Sequence, residues 1–140
     1  MLTFSLRRLF RIGLLMTVLA IAINSLYYGL SRLAGETYPM PLNGTGSRIG
    51  PMPILMPVIA TALLGLTATL FFVLLVRFTR QPVVIFVSVA FTALLVSFGG
   101  PLSLPEIVPL QTRLLLCGMH VLTAAVIVLG LLRWGPVRRR

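Results

Sequence analysis

LLLCGMHVLTAAVIVLGLL, Leu114 to Leu132, is the stretch that decides the fold. It runs without a charge for long enough, at about 1.5 Å per residue, to cross a hydrocarbon core of roughly 30 Å as a helix. Inside it lies His120, the single histidine of the chain. Hydrocarbon offers an ionisable side chain neither water nor counterion, so an intramembrane histidine is a candidate functional residue.

The rest of the composition agrees with a membrane span. Hydrophobic residues make up 58% of the 140 and charged residues 10%, with a mean hydropathy of +1.05. A soluble globule carries about 25% charged residues, so this chain lacks the polar surface of one. A single transmembrane domain over residues 1–140 is expected. The net charge of +10 would suggest nucleic acid in a soluble protein. Here the basic residues flank apolar runs and form no basic, aromatic face, so no nucleic acid is expected and the charge reads as topology. All twelve basic residues are arginine, which removes lysine Schiff-base chemistry. One cysteine, Cys117, provides no intrachain disulfide and no Cys-x-x-Cys pair.

Outward from the deciding stretch, three further apolar runs appear. Spans are expected at about 12–30, 54–76, 83–99 and 112–132, with outer loops 31–53 and 100–111. Arg7, Arg8 and Arg11 precede the first run, and Ala20-Ile21-Ala22 imitates a signal-peptide cleavage site. The run continues to Leu30, so it reads as a retained anchor. Loop 31–53 is rich in proline and glycine, and no regular structure is expected there. Tyr38, Met40 and Leu42 are expected to rest at the membrane surface. The turn 77–82 joins the second and third spans, Gly99-Gly100-Pro101 stops the third, and Trp134 marks an interface after the fourth.

The arginines orient these spans. One face would hold Arg7, Arg8, Arg11, Arg77, Arg80, Arg133, Arg138, Arg139 and Arg140 with no acid. The other would hold Arg32, Arg48 and Arg113 with both acids, Glu36 and Glu106. The positive-inside rule then places both termini in the cytoplasm of a multi-pass protein of the cell inner membrane. The short connections favour antiparallel neighbours, and the expected fold is all-α, a transmembrane up-down four-helix bundle.

Small and polar residues mark the faces that would meet. Gly13, Thr17, Ala20 and Asn24 share a face of span one, and Thr61, Gly65 and Thr69 recur every four residues in span two. Span three offers Ser88 and Thr92; span four offers Cys117, His120 and Ala124, with Thr123 beside them. Small residues at these spacings let membrane helices approach closely. Counted inward, Asn24, Thr61, Thr92 and His120 all fall roughly 10 Å below the outer boundary. One polar layer of four helices is expected. Its structural reading is a set of interhelical hydrogen bonds of about 0.6 to 2 kcal/mol each. Its functional reading puts His120, bonded to Asn24 or a neighbouring hydroxyl, within reach of the outer side. The structural reading takes precedence, because a neutral histidine is cheaper in a membrane than an aspartate or lysine.

Other chemistries have little support in the residues. Cys117 and His120 share a helix face, but two ligands do not make a zinc site, so no metal is expected. A haem or chlorophyll needs one axial histidine, so His120 stands as a ligand only if the protein is pigmented; no cofactor is otherwise indicated. Glu36 and Glu106 lie in separate loops, no carboxylate lies at the depth of His120, and no enzyme activity is expected. An acidic residue within the membrane, the usual basis of proton-coupled export, is missing from every span.

The runs RFTRQPVVIFVSVAFTALLVSFGGPL, Arg77 to Leu102, and RLLLCGMHVLTAAVIVLGLLRW, Arg113 to Trp134, resemble a family of uncharacterised bacterial four-helix membrane proteins. The similar features are the turn Arg80-Gln81-Pro82, the closing Gly100-Pro101, the pair Met119-His120 and Asn24 late in span one. The resemblance implies the fold and the membrane location and carries no activity with it.

Two functional expectations follow. In the first, the protein is a non-catalytic subunit or scaffold of a larger membrane assembly, its partners being the lipid bilayer and other membrane subunits or copies of itself. In the second, it is a small transporter or ligand-binding membrane protein with an outward-facing polar layer around His120, covered by loop 31–53.

Overall fold

A computed structural model describes residues 2–41 and 49–138, and most of them are helical. In chain order the elements are β1 (Leu2–Phe4), α1 (Leu6–Leu33), β2 (Pro39–Pro41), β3 (Ile49–Pro51), α2 (Leu55–Phe78), α3 (Pro82–Ser97), α4 (Gly99–Leu102), α5 (Leu110–Trp134) and β4 (Pro136–Arg138). Four helical stretches are long and apolar enough to cross a bilayer: Leu6–Leu33, Leu55–Phe78, Pro82–Leu102 and Leu110–Trp134. The chain is a membrane protein.

Local chemistry sets several boundaries. Gly35, at φ +96°, ends α1: its N–H reaches the Arg32 carbonyl at 3.1 Å and the Glu36 N–H reaches Ser31 at 3.0 Å. This paired capping needs a left-handed residue, which glycine supplies without steric cost. Pro82 opens α3 at a position whose amide has no intrahelical partner. Gly99-Gly100-Pro101, expected to stop the third span, instead forms the turn α4. Pro101 there falls in a first turn, where a missing N–H is harmless, and Leu102 N–H bonds Phe98 O at 3.0 Å.

Loop 31–53 also departs from expectation. β2 and β3 pair antiparallel, Pro39 with Pro51, Met40 with Gly50 and Pro41 with Ile49. Leu42 lies outside the described residues. Prolines tolerate this ladder because each strand has an edge with no donor demand. At the opposite end of the molecule β1 and β4 pair antiparallel, Leu2 with Arg138 and Phe4 with Pro136. The fold is therefore helical with two small strand pairs, and its first and last elements lie side by side.

α1 packs chiefly against α2 and α5. Gly13 and Gly65 are buried, and the geometry is reciprocal: a Cβ on Gly13 would collide with Thr69, and one on Gly65 with Thr17. Each threonine bonds back to its own helix, Thr17 Oγ1 to Gly13 O at 2.8 Å and Thr69 Oγ1 to Gly65 O at 2.7 Å. The hydroxyls are thus satisfied internally, and two Gly-x-x-x-Thr turns interlock across an antiparallel pair. On the other side, Gly130 meets Met16 and Gly118 meets Tyr27, so α5 also runs antiparallel to α1.

Two apolar clusters result. One, with Leu9, Phe72, Phe86, Ile127 and Leu131, lies toward the paired termini. The other, with Tyr28, Tyr38, Met52, Leu116 and Met119, lies under the β2–β3 hairpin. α3 is peripheral: Phe86 is its one buried residue, held against Phe72 at a ring distance of 4.5 Å.

Candidate functional site

Between the two apolar clusters lies a polar knot centred on Asn24. Its side chain is 2% exposed, and Nδ2 donates to Thr61 Oγ1 at 2.9 Å and to Thr123 Oγ1 at 2.7 Å. Thr123 donates in turn to Met119 O at 2.9 Å, which leaves its oxygen free to accept from the amide. One side chain thereby ties α1 to α2 and α5. The other amide atom, Oδ1, is buried with no partner among the described groups. A buried carbonyl oxygen left unpaired costs about 1–3 kcal/mol, a cost that the two interhelical bonds of Nδ2 offset in part.

Asn24 also lines a cavity of about 340 Å³ at the hairpin end of the helices. Thr61, Thr123 and His120 share its wall with Met40, Met52, Met56 and Met119. A second cavity, about 120 Å³, lies between α2, α3 and α5. Leu64, His120 and Thr123 line both, so the imidazole stands at the boundary of the two spaces. His120 is partly buried and makes no hydrogen bond among the described residues.

The hairpin is fastened over this cavity. Tyr38 is fully buried and stacks on Tyr28 at 5.0 Å. Its hydroxyl donates to Ser31 Oγ at 2.9 Å, its N–H to Glu36 Oε1 at 2.9 Å, and its carbonyl accepts from Met52 N–H at 2.9 Å. These contacts hold a bulky residue at φ +50°, a left-handed conformation that a tyrosine adopts only where its surroundings over-determine it. Burial pushes the Tyr38 phenol up from its ordinary pKa, and the Ser31 hydrogen bond offsets part of this. Tyr28 donates to Met52 O, while Glu36 Oε1 also accepts from Thr112 Oγ1 at 2.9 Å, tying the loop to the start of α5. Arg113 spans the following loop, with Nε on Val108 O at 3.0 Å and a terminal nitrogen on Pro105 O at 2.9 Å.

The expected layer is only partly assembled. Asn24 and Thr61 meet, but the third partner is Thr123, not His120, which lines the cavity wall beside them. Thr92 takes no part: it is exposed and bonds Ser88 O in its own helix at 3.0 Å. Ser88 is likewise exposed and lies in no seam. At about 100° per residue, Ser88 and Thr92 fall on the side of α3 opposite Phe86, the residue that faces the molecule. A hydroxyl that can bond the carbonyl four residues back carries no obligation to face inward. Gly13, Thr17, Gly65 and Thr69 meet across α1 and α2, Ala20 is buried at 1% exposure, Cys117 is half-buried, and Ala124 lines the smaller cavity. Glu106 is exposed.

Sequence reasoning missed the convergence of methionines. Met52 and Met56, four residues apart at the entry to α2, and Met119 next to His120 were the available signals. Met40 reaches the same cavity only because the hairpin closes.

Residues 4–136 match a family described as a family of unknown function (DUF6069), and the chain belongs to that family. Neither a curated protein nor a solved structure matches it.

Proposed function

We propose that this member of the family is a non-catalytic binding protein or small transporter, whose ligand chamber is the cavity bounded by Asn24, His120 and the β2–β3 hairpin. One observation carries the reading: the buried amide that ties α1 to α2 and α5 stands, with Thr61, Thr123 and the half-buried His120, on the wall of a cavity of about 340 Å³. Cavities of this size hold a small molecule or ion, and lining such a space with a few polar groups among apolar ones is the usual composition of a ligand site.

In the same reading the helices form an up-down bundle in the cell inner membrane, with both termini cytoplasmic and the hairpin outside. The side-by-side β1 and β4 support it, as do the arginines. Arg32 and Arg113 on the hairpin side bond loop carbonyls, while nine others fall, in the sequence, near the two termini and in the 77–82 turn.

The test is thiol accessibility. In a Cys117→Ala background, Met119→Cys is expected to react with a membrane-impermeant methanethiosulfonate reagent added to intact cells, and Val18→Cys, on the outer face of α1, is not. Reaction only in inside-out vesicles would invert the orientation; equal inertness of both thiols would refute the chamber.

A second reading rests on α3. Phe86 is the one buried residue of this helix, and Phe91 and Val96 are 61% and 72% exposed. A helix so lightly covered supports a subunit role, in which α3 docks against another membrane protein or a second copy.

A further inference from the structure

We propose that the chamber is a soft-metal site, binding one Cu(I) ion through two or three thioether sulfurs drawn from Met40, Met52, Met56 and Met119 and an imidazole nitrogen of His120. This rests on the chamber reading above and names its ligand.

The distribution of methionine is the first argument. The chain has six; Met1 lies outside the described residues, Met16 packs on Gly130, and the remaining four all line one cavity together with the only histidine. They arrive from β2, from the segment entering α2, from the first turn of α2 and from α5, so no single helical stripe explains them. Plain packing would be served as well by leucine, which outnumbers methionine severalfold in this sequence.

Donor chemistry selects the ion. Thioethers are soft and neutral, and soft sulfur ligands favour Cu(I) over hard divalent cations. No group of three or more His, Cys, Asp or Glu that could hold a metal occurs among the described residues. Glu36 is committed to Tyr38 and Thr112, and Glu106 is exposed, so zinc, magnesium and calcium find no carboxylate here. A monovalent ion also suits a neutral chamber, because desolvation cost rises with the square of the charge. Met side chains have three rotatable bonds, so sulfurs distributed around a cavity can converge on one ion. A histidine bound through one ring nitrogen donates its other N–H to an acceptor, and the hydroxyl-bearing Thr61 and Thr123 line the same cavity.

The experiment uses the full chain in detergent, with Cu(I) under reducing conditions against a chromogenic Cu(I) chelator, and Ag(I) as the redox-inert probe. The expected result is one ion per chain, sulfur neighbours in the copper X-ray absorption spectrum, and no retention of Zn(II). Met52→Leu with Met119→Leu, a volume-conserving change, is expected to weaken retention by about tenfold or more with helix content unchanged. His120→Ala is expected to remove the nitrogen component of the spectrum, and Cys117→Ala to change nothing. Loss of all retention to the chelator, or retention that follows Cys117 instead of the methionines, overturns the assignment. If Met119→Cys is labelled while Cu(I) is not held, the chamber stands and the metal falls. If that thiol is inert, the chamber itself is at fault.

Discussion

Gly65→Ala tests the helix seam most directly. An added Cβ would lie 2.7 Å from Thr17 Cγ2 and 3.0 Å from Thr17 Cβ, and closer still to the hydroxyl oxygen. Thr17 cannot swing clear, because its hydroxyl is bonded to Gly13 O and its other γ atom would take the vacated place. α1 and α2 must therefore separate by a fraction of an ångström, loosening the matching Gly13–Thr69 contact as well. Overpacking of this kind costs about 1–3 kcal/mol, offset by about 1 kcal/mol of helix propensity gained over glycine. Gly29→Ala is the internal control: it lies in the same helix as Thr17, with nothing within 4 Å of its added Cβ, and receives only the propensity gain. The two variants should differ by about 2 kcal/mol. Adding Thr17→Ala to Gly65→Ala removes both γ atoms and should restore about 1–1.5 kcal/mol as a coupling energy. Unfolding in mixed micelles by increasing dodecyl sulfate, followed by far-ultraviolet circular dichroism, measures each difference. Equal stability of Gly65→Ala and Gly29→Ala, or strict additivity in the double variant, would refute the interlocking of α1 and α2.

Two further outcomes follow from the site. Asn24→Leu removes two interhelical hydrogen bonds, about 0.6 kcal/mol each on average, and also relieves a buried unpaired oxygen of similar or greater cost. Its stability in the ligand-free protein should thus stay within about 1 kcal/mol of the parent, while binding in the chamber is lost; severe unfolding in the same titration would argue that Asn24 is chiefly structural. Tyr38 holds its proton above the ordinary value of 10.0, so the folded state keeps a proton that the unfolded chain releases. Stability from this group is complete below about pH 10 and falls as the pH rises beyond it. Tyr38→Phe should flatten that alkaline loss, and an identical pH profile in both proteins would contradict the burial of the phenol.

The legible part of the site was the part written on single helices. Gly13 with Thr17 and Gly65 with Thr69 repeat every four residues, so their shared faces follow from helix geometry, and Asn24 with Thr61 follows from depth alone. Ser88 and Thr92 misled the same reasoning. Their spacing is as regular, but a hydroxyl bonded to its own helix backbone is indifferent to whether lipid or protein lies outside. Thr123 and not His120 is the partner of Asn24; the two lie about 60° apart around α5, a difference that no spacing rule resolves. The hairpin was hidden by its prolines and glycines, which signal irregular chain until Tyr38, Ser31, Glu36 and Thr112 are brought together from distant positions.

By itself the sequence determined the solvent. Uncharged runs of this length cannot be left in water, and their backbone groups must be satisfied internally in lipid, so four long helices follow from composition. Only the tertiary structure decided which polar groups meet, that β1 lies against β4, and that four methionines and a histidine surround one cavity. Lipid rewards every apolar face alike, so the rotation and pairing of the rods are set by close contacts such as Gly65 on Thr17 and by the few hydrogen bonds that Asn24 makes between them.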